Sequence, residues 1–76
     1  MQPDPQPKLT PQQEHFLTCV AQGYHYAEIA PVMGISVQAV KRLAERACDS
    51  MGAHTVTQAA VMAAMQGLLP VLDWVH

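Results

Sequence analysis

A chain of 76 residues has room for one domain and one small core, because a domain of about 60 residues buries only about 60% of the surface its unfolded chain exposes. Hydrophobic residues make up 50% of the chain and aromatics 5%, a mix rich in alanine and methionine that favours packed helices over sheets. Lys and Arg total 4 against 6 Asp and Glu, for a formal charge of -2, and taken alone this argues against a nucleic-acid partner, which is normally met by a basic surface.

The N-terminus lacks a basic start followed by an apolar stretch, and no run approaches 18 uninterrupted apolar residues, so neither export nor membrane spanning is supported. Cys19 and Cys48 lie within apolar helical patterns and lack Cys-x-x-Cys spacing. Reduced, buried thiols and a cytoplasmic setting are therefore expected.

In chain order, residues 1–8 (MQPDPQPK) alternate proline with polar residues, supply almost nothing to bury, and read as a flexible lead-in. Thr10, Pro11 and Gln13 then combine an N-cap, a proline at the first helical position and a capping box. The first helix is expected over 11 to about 22, stopping at Gly23, with Phe16, Leu17, Val20 and Ala21 facing inward. A second, shorter helix is expected over 25–33, with Glu28 three residues after His25 and Gly34 at the left-handed C-terminal position. Pro31 removes one of its backbone hydrogen bonds, which predicts a distorted last turn.

Ser36 caps a third helix that runs to about Met51 and ends at Gly52. Thr55-Val-Thr-Gln58 opens a fourth, whose body AAVMAAMQGLL reaches Gly67 or slightly beyond. No charge occurs between Thr55 and Leu72, so this helix is either buried or an interface. Residues 70–76 (PVLDWVH) bring Val71, Leu72, Trp74 and Val75 after a proline break and are expected to fold back or join that interface. The reading divides the chain into the lead-in 1–8, a domain over 9–69 and the apolar tail 70–76.

The second and third helices have the pattern of a helix-turn-helix. Such a unit needs a small residue where the helices cross, a glycine where the turn goes left-handed, and apolar residues locking the pair. Ala30, Gly34 and Val40 fall at those places, with Ile29, Met33, Ile35 and Leu43 at the other inward positions.

Helical geometry then puts Val40, Leu43, Ala44, Ala47 and Met51 inside and leaves Val37, Gln38, Lys41, Arg42 and Glu45 outside. Gln38 can bond adenine bidentately, Lys41 can reach guanine or phosphate, and Glu45 can accept from cytosine. Arg42 and Arg46 suit phosphates, and Ser36 and Val37 open the same helix, so the candidate DNA-binding residues are Ser36, Val37, Gln38, Lys41, Arg42, Glu45 and Arg46. The plainer alternative is an ordinary solvated helix face.

One module with about three basic contacts binds DNA weakly, whereas a dimer doubles them and reads two half-sites. Val61, Ala64, Met65 and Leu68 recur at helical spacing in the fourth helix and are the candidate dimer interface.

Other chemistries find little support. His15 and Cys19 share a helix face, but with Cys48 and His54 they form no tight ligand pairs, so neither a metal nor another cofactor is expected. Tyr24, His25 and Tyr26 read as packing and capping residues. With no Ser/His/Asp pattern, paired carboxylates or glycine-rich phosphate loop, the chain is not expected to be an enzyme.

From residue 9 to 69 the sequence resembles a LuxR-type (NarL/FixJ-like) DNA-binding domain. Leu9-Thr10-Pro11 is similar to the family opening LTPREREVL, and Leu17 with Val20-Ala21-Gln22-Gly23 to LxxVAQG. Glu28-Ile29-Ala30 matches EIA, Gly34-Ile35-Ser36 with Val40-Lys41 matches GIS-x-x-TVK, and Thr57-Gln58-Ala59 matches TQA. The resemblance implies a four-helix domain whose third helix enters the major groove and whose fourth makes a twofold dimer.

Departures fall on polar positions. Ala39 and Leu43 stand where the family commonly has threonine and histidine, Ala27 and Ser50 where it has lysine, and His15 where it has glutamate. The expected function is that of a dimeric transcriptional regulator on double-stranded DNA. The alternative is a protein-binding antagonist or adaptor that pairs with another regulator through the fourth helix and tail. With no receiver or ligand-binding domain ahead of it in this sequence, control is expected to come from expression level, oligomerisation or a partner.

Overall fold

The structure is a computed structural model that describes residues 9–69. The expectations for the lead-in and the tail lie outside the described residues. Four helices follow in order: α1 (Pro11–Ala21), α2 (Tyr26–Met33), α3 (Val37–Met51) and α4 (Val56–Met65). Among the described residues there is no strand, and the fold is all-α.

The helix starts follow from local hydrogen bonding. Thr10 Oγ1 accepts from the Gln13 N–H at 3.1 Å, while Gln13 Oε1 accepts from the Thr10 N–H at 3.2 Å, which closes the expected capping box of α1. Glu28 Oε1 accepts from the His25 N–H at 2.8 Å, so His25 is the N-cap of α2 and not its first helical residue. In α4, Thr55 Oγ1 accepts from Gln58, and the Gln58 side chain reaches past the cap to the His54 N–H at 2.7 Å.

The ends of α2 and α4 bear on the expectations, and that of α4 is corrected. Helix α2 runs through Pro31 to Met33 as one continuous α-helix. Pro31 and Ala27 are both exposed, so the carbonyl that loses its partner lies on the solvent side of α2, open to water. Helix α4 stops at Met65, with Gln66 as its cap and Gly67 at φ 72, short of the expected end. The Leu68 N–H returns to the Ala63 carbonyl at 2.9 Å, which turns the chain back and takes Leu68 out of helical register.

Phe16, Leu17, Ile29 and Val40 are the largest fully buried side chains, contributed by α1, α2 and α3. Around them Ala44 and Ala47 of α3 and Ala59, Ala60 and Ala63 of α4 are buried, and their small size brings helix backbones close. Val20 and Ala21, expected inside, are half-buried at the rim, while Cys19 is buried. The aromatic pair Phe16 and Tyr26, with ring centroids 6.0 Å apart and planes at 51°, ties α1 to the start of α2.

Helices α1 and α3 each pack against all three of the others. The outward side of α3 is thereby fixed in direction by the whole core. Ile29 joins α2 to this core from a fully buried position. Ile29→Ala is expected to lower stability by about 2–5 kcal/mol, read as a fall in the urea midpoint at unchanged slope.

Candidate nucleic-acid interface

The geometry is built by the turn between α2 and α3. Gly34 takes φ 70 and ψ 32, a left-handed conformation open to glycine at little cost, and lets the Ile35 N–H bond back to the Ala30 carbonyl at 3.0 Å. Ser36 then returns to extended backbone, and its Oγ accepts from the Ala39 N–H at 3.1 Å to start α3. Ile29 and Ala30 of α2 and Val40 and Leu43 of α3 are buried together in one core. The arrangement is a helix-turn-helix.

Val40, Leu43, Ala44, Ala47 and Met51 of α3 are buried, as the periodicity requires. Ser36, Gln38, Lys41, Arg42, Glu45 and Arg46 are exposed, and Val37, 39% exposed, opens the same surface at the first helical position. Lys41, Arg42 and Arg46 are three of the chain's 4 Lys and Arg, the other being Lys8. The scarce positive charge is therefore concentrated on one helix of an otherwise acidic chain. No acidic residue occupies the first turn of α3, so its N-terminal partial positive charge is not neutralised within that turn.

The fold also makes α3 a ridge between two hollows. On one flank, Ala39, Arg42 and Arg46 meet Gln12 of α1 around a hollow of about 140 Å³. On the other, Lys41, Glu45 and Asp49 face Tyr26, His54 and Thr55 across an open groove of about 560 Å³. Gln12, Tyr26, His54 and Thr55 are additions to the residues expected from sequence. They come from α1, α2 and the start of α4, and only the tertiary packing brings them beside α3.

Burial pushes the Cys19 thiol above its ordinary range, and burial with the neighbouring Asp49 does the same for Cys48. Both therefore stay protonated and poorly nucleophilic near neutral pH. Tyr26 is also raised, first by burial and then by Cys48. Among the described residues no group of three or more His, Cys, Asp or Glu is placed to hold a metal ion.

A separate apolar face lies on α1 and α4. Val61 is 51% and Met65 81% exposed, and with Ala64, Val20, Ala21 and Ala60 they line a groove of about 280 Å³. Leu68 is half-buried against the core and does not line that groove.

The Sigma-70 region 4 family matches residues 8–51, which is more than half of the chain and takes in α1, α2 and α3. The chain belongs to the Sigma-70 region 4 family. Its helix-turn-helix is the region 4 unit, and α4 lies beyond the matched segment. No curated protein matches the sequence. Among solved structures, this region 4 chain is similar to VqmA from Vibrio cholera, determined in a VqmA-ligand-DNA complex. The TM-score is 0.77 at 26% identity, over 95% of this chain and 32% of that one. The region 4 chain thus spans about a third of the VqmA chain it matches, and the likeness extends to α4.

Proposed function

We propose that this chain is a DNA-binding transcriptional regulator that acts as a dimer, places α3 in the major groove, and brings two copies together through α4. The observation that carries this reading is the concentration of Lys41, Arg42 and Arg46 on the outward ridge of a helix-turn-helix. Membership of the region 4 family and the likeness to VqmA, whose solved complex contains DNA, support it. The LuxR-type motifs and the likeness to VqmA beyond the region 4 segment favour the LuxR-type arrangement, in which the fourth helix pairs.

In this arrangement the phosphate backbones on either side of the groove run along the two hollows. Arg42, Arg46 and the Gln12 amide attend one strand; Lys41, with Thr55 and His54 nearby, attends the other at the N-terminal end of its hollow, since Glu45 and Asp49 line the rest of it and repel phosphate. Ser36, Val37 and Gln38, at the N-terminal end of α3, approach base edges, where a valine side chain suits a thymine methyl and Gln38 suits adenine. Val61, Ala64 and Met65 form the centre of the twofold contact, and Leu68 supports it from below. This reading includes a domain over 9–69, a cytoplasmic location and a non-enzymatic role. No helix among the described residues is long and apolar enough to cross a membrane.

A salt titration of duplex binding tests the proposal. With three cationic side chains per copy, a dimer neutralises about six phosphates and gives a log-log slope of about -5. The absence of duplex binding at low salt overturns the reading.

The exposed Val61 and Met65 favour one second reading, a protein-binding antagonist or adaptor that pairs with another regulator through α4. It is distinguished by partner capture that survives Lys41→Ala with Arg42→Ala and is lost on Met65→Asp.

A further inference from the structure

A carboxylate stands in the middle of the exposed ridge. At about 100° per residue around α3, Glu45 falls between Lys41 and Arg42, nearer Lys41, and borders the groove on the Lys41 flank. Gln38 precedes it by seven residues, so the two lie within about 20° of one another around the helix and about 10.5 Å apart along it. That distance is close to three base steps of about 3.4 Å. Any surface that receives Gln38 frontally therefore also meets Glu45.

An ionised carboxylate accepts hydrogen bonds and donates none. Against a phosphate it is purely repulsive. In the major groove guanine shows two acceptors and thymine an acceptor and a methyl, so neither offers Glu45 a partner. Adenine offers an amino group with the N7 acceptor beside it, which repels the second carboxylate oxygen. Cytosine offers its N4 amino group with no acceptor at its side.

We infer that Glu45 selects a cytosine about three base steps from the position held by Gln38. The inference rests on the proposed placement of α3 in the major groove and adds the base class that the ridge requires. Asp49 is one turn further toward the C-terminus, away from the N-terminal part of a recognition helix that reaches base edges, and repels the backbone whatever the sequence. Glu45 thus acts by penalising wrong bases as much as by bonding the right one.

Selection from a randomised duplex library with the full chain, Glu45→Gln and Asp49→Asn tests this, followed by titration of the selected duplex and its single-base variants. The wild-type chain is expected to enrich a fixed cytosine and to lose about tenfold or more in affinity when that base is changed. Glu45→Gln should reduce the loss to about threefold or less and bind the altered duplexes more tightly than wild type, since the repulsion is gone. Asp49→Asn should tighten binding to all duplexes alike and keep the cytosine preference. A selected site without a fixed cytosine, or equal discrimination by wild type and Glu45→Gln, overturns the inference and leaves DNA binding standing. If none of the three proteins enriches any duplex while circular dichroism shows all of them helical, the inference and the proposed function fall together.

Discussion

Replacing Lys41 and Arg42 together by alanine is expected to lower duplex affinity by roughly three to four orders of magnitude at about 0.1 M salt, and to reduce the salt slope from about -5 to about -2. Counterion release sets this magnitude. Each neutralised phosphate multiplies affinity by about tenfold at that salt, and the double variant removes four such contacts from a dimer. Both side chains are exposed on α3, so circular dichroism and the thermal midpoint should stay close to wild type. A matched pair, Glu14→Gln with Glu28→Gln, changes two charges away from α3, keeps the side-chain oxygen that accepts from the His25 N–H, and should leave the slope near -5. An unchanged slope in the double variant would mean that the bound phosphates lie elsewhere.

The second large effect is expected at α4. Met65→Asp should abolish the dimer at micromolar concentration, lower duplex affinity by about 100-fold or more, and halve the salt slope. Met65 is 81% exposed in a single copy, so the substitution leaves the monomer's core untouched. A twofold contact centred on Val61, Ala64 and Met65 places the Met65 side chains of both copies in its apolar middle, where two introduced carboxylates lose hydration without gaining a partner. Sedimentation equilibrium checks the mass, and duplex titration checks the coupling between pairing and binding. Leu68→Asp is a different experiment, because Leu68 packs on the core and its replacement is expected to destabilise the fold itself.

The parts of the fold written in local signals were legible in the sequence. Thr10, Ser36 and Thr55 cap helices as their spacing to Gln13, Ala39 and Gln58 implies. Gly34 and Gly52 both adopt the left-handed conformation at helix ends. Helix α4 was harder, because an uncharged run of alanine and methionine has no polar face to mark its last turn. The return of Leu68 to Ala63 depends on the core beneath it. Pro31 stays within α2, since the damage a proline does depends on whether the freed carbonyl is open to water, and that is a property of the surface.

The same division holds for the candidate site. The outward residues of α3 follow from helical period alone, because each is a known number of turns from the buried Val40 and Leu43. The flanking hollows do not, because Gln12 and His54 are 42 residues apart in sequence and come to α3 from α1 and from the connection between α3 and α4. No periodicity within one segment can report such a meeting.

The most direct measurement is backbone amide NMR of the full chain titrated with a duplex selected from a random library. The account predicts that the largest shift changes fall on 36–46 of α3, with smaller ones at Gln12, His54 and Thr55 on the two flanks, and that the exposed residues of α4 from Val61 to Met65 stay unchanged on DNA addition. Perturbation confined to α4, with the amides of α3 unmoved, would contradict it.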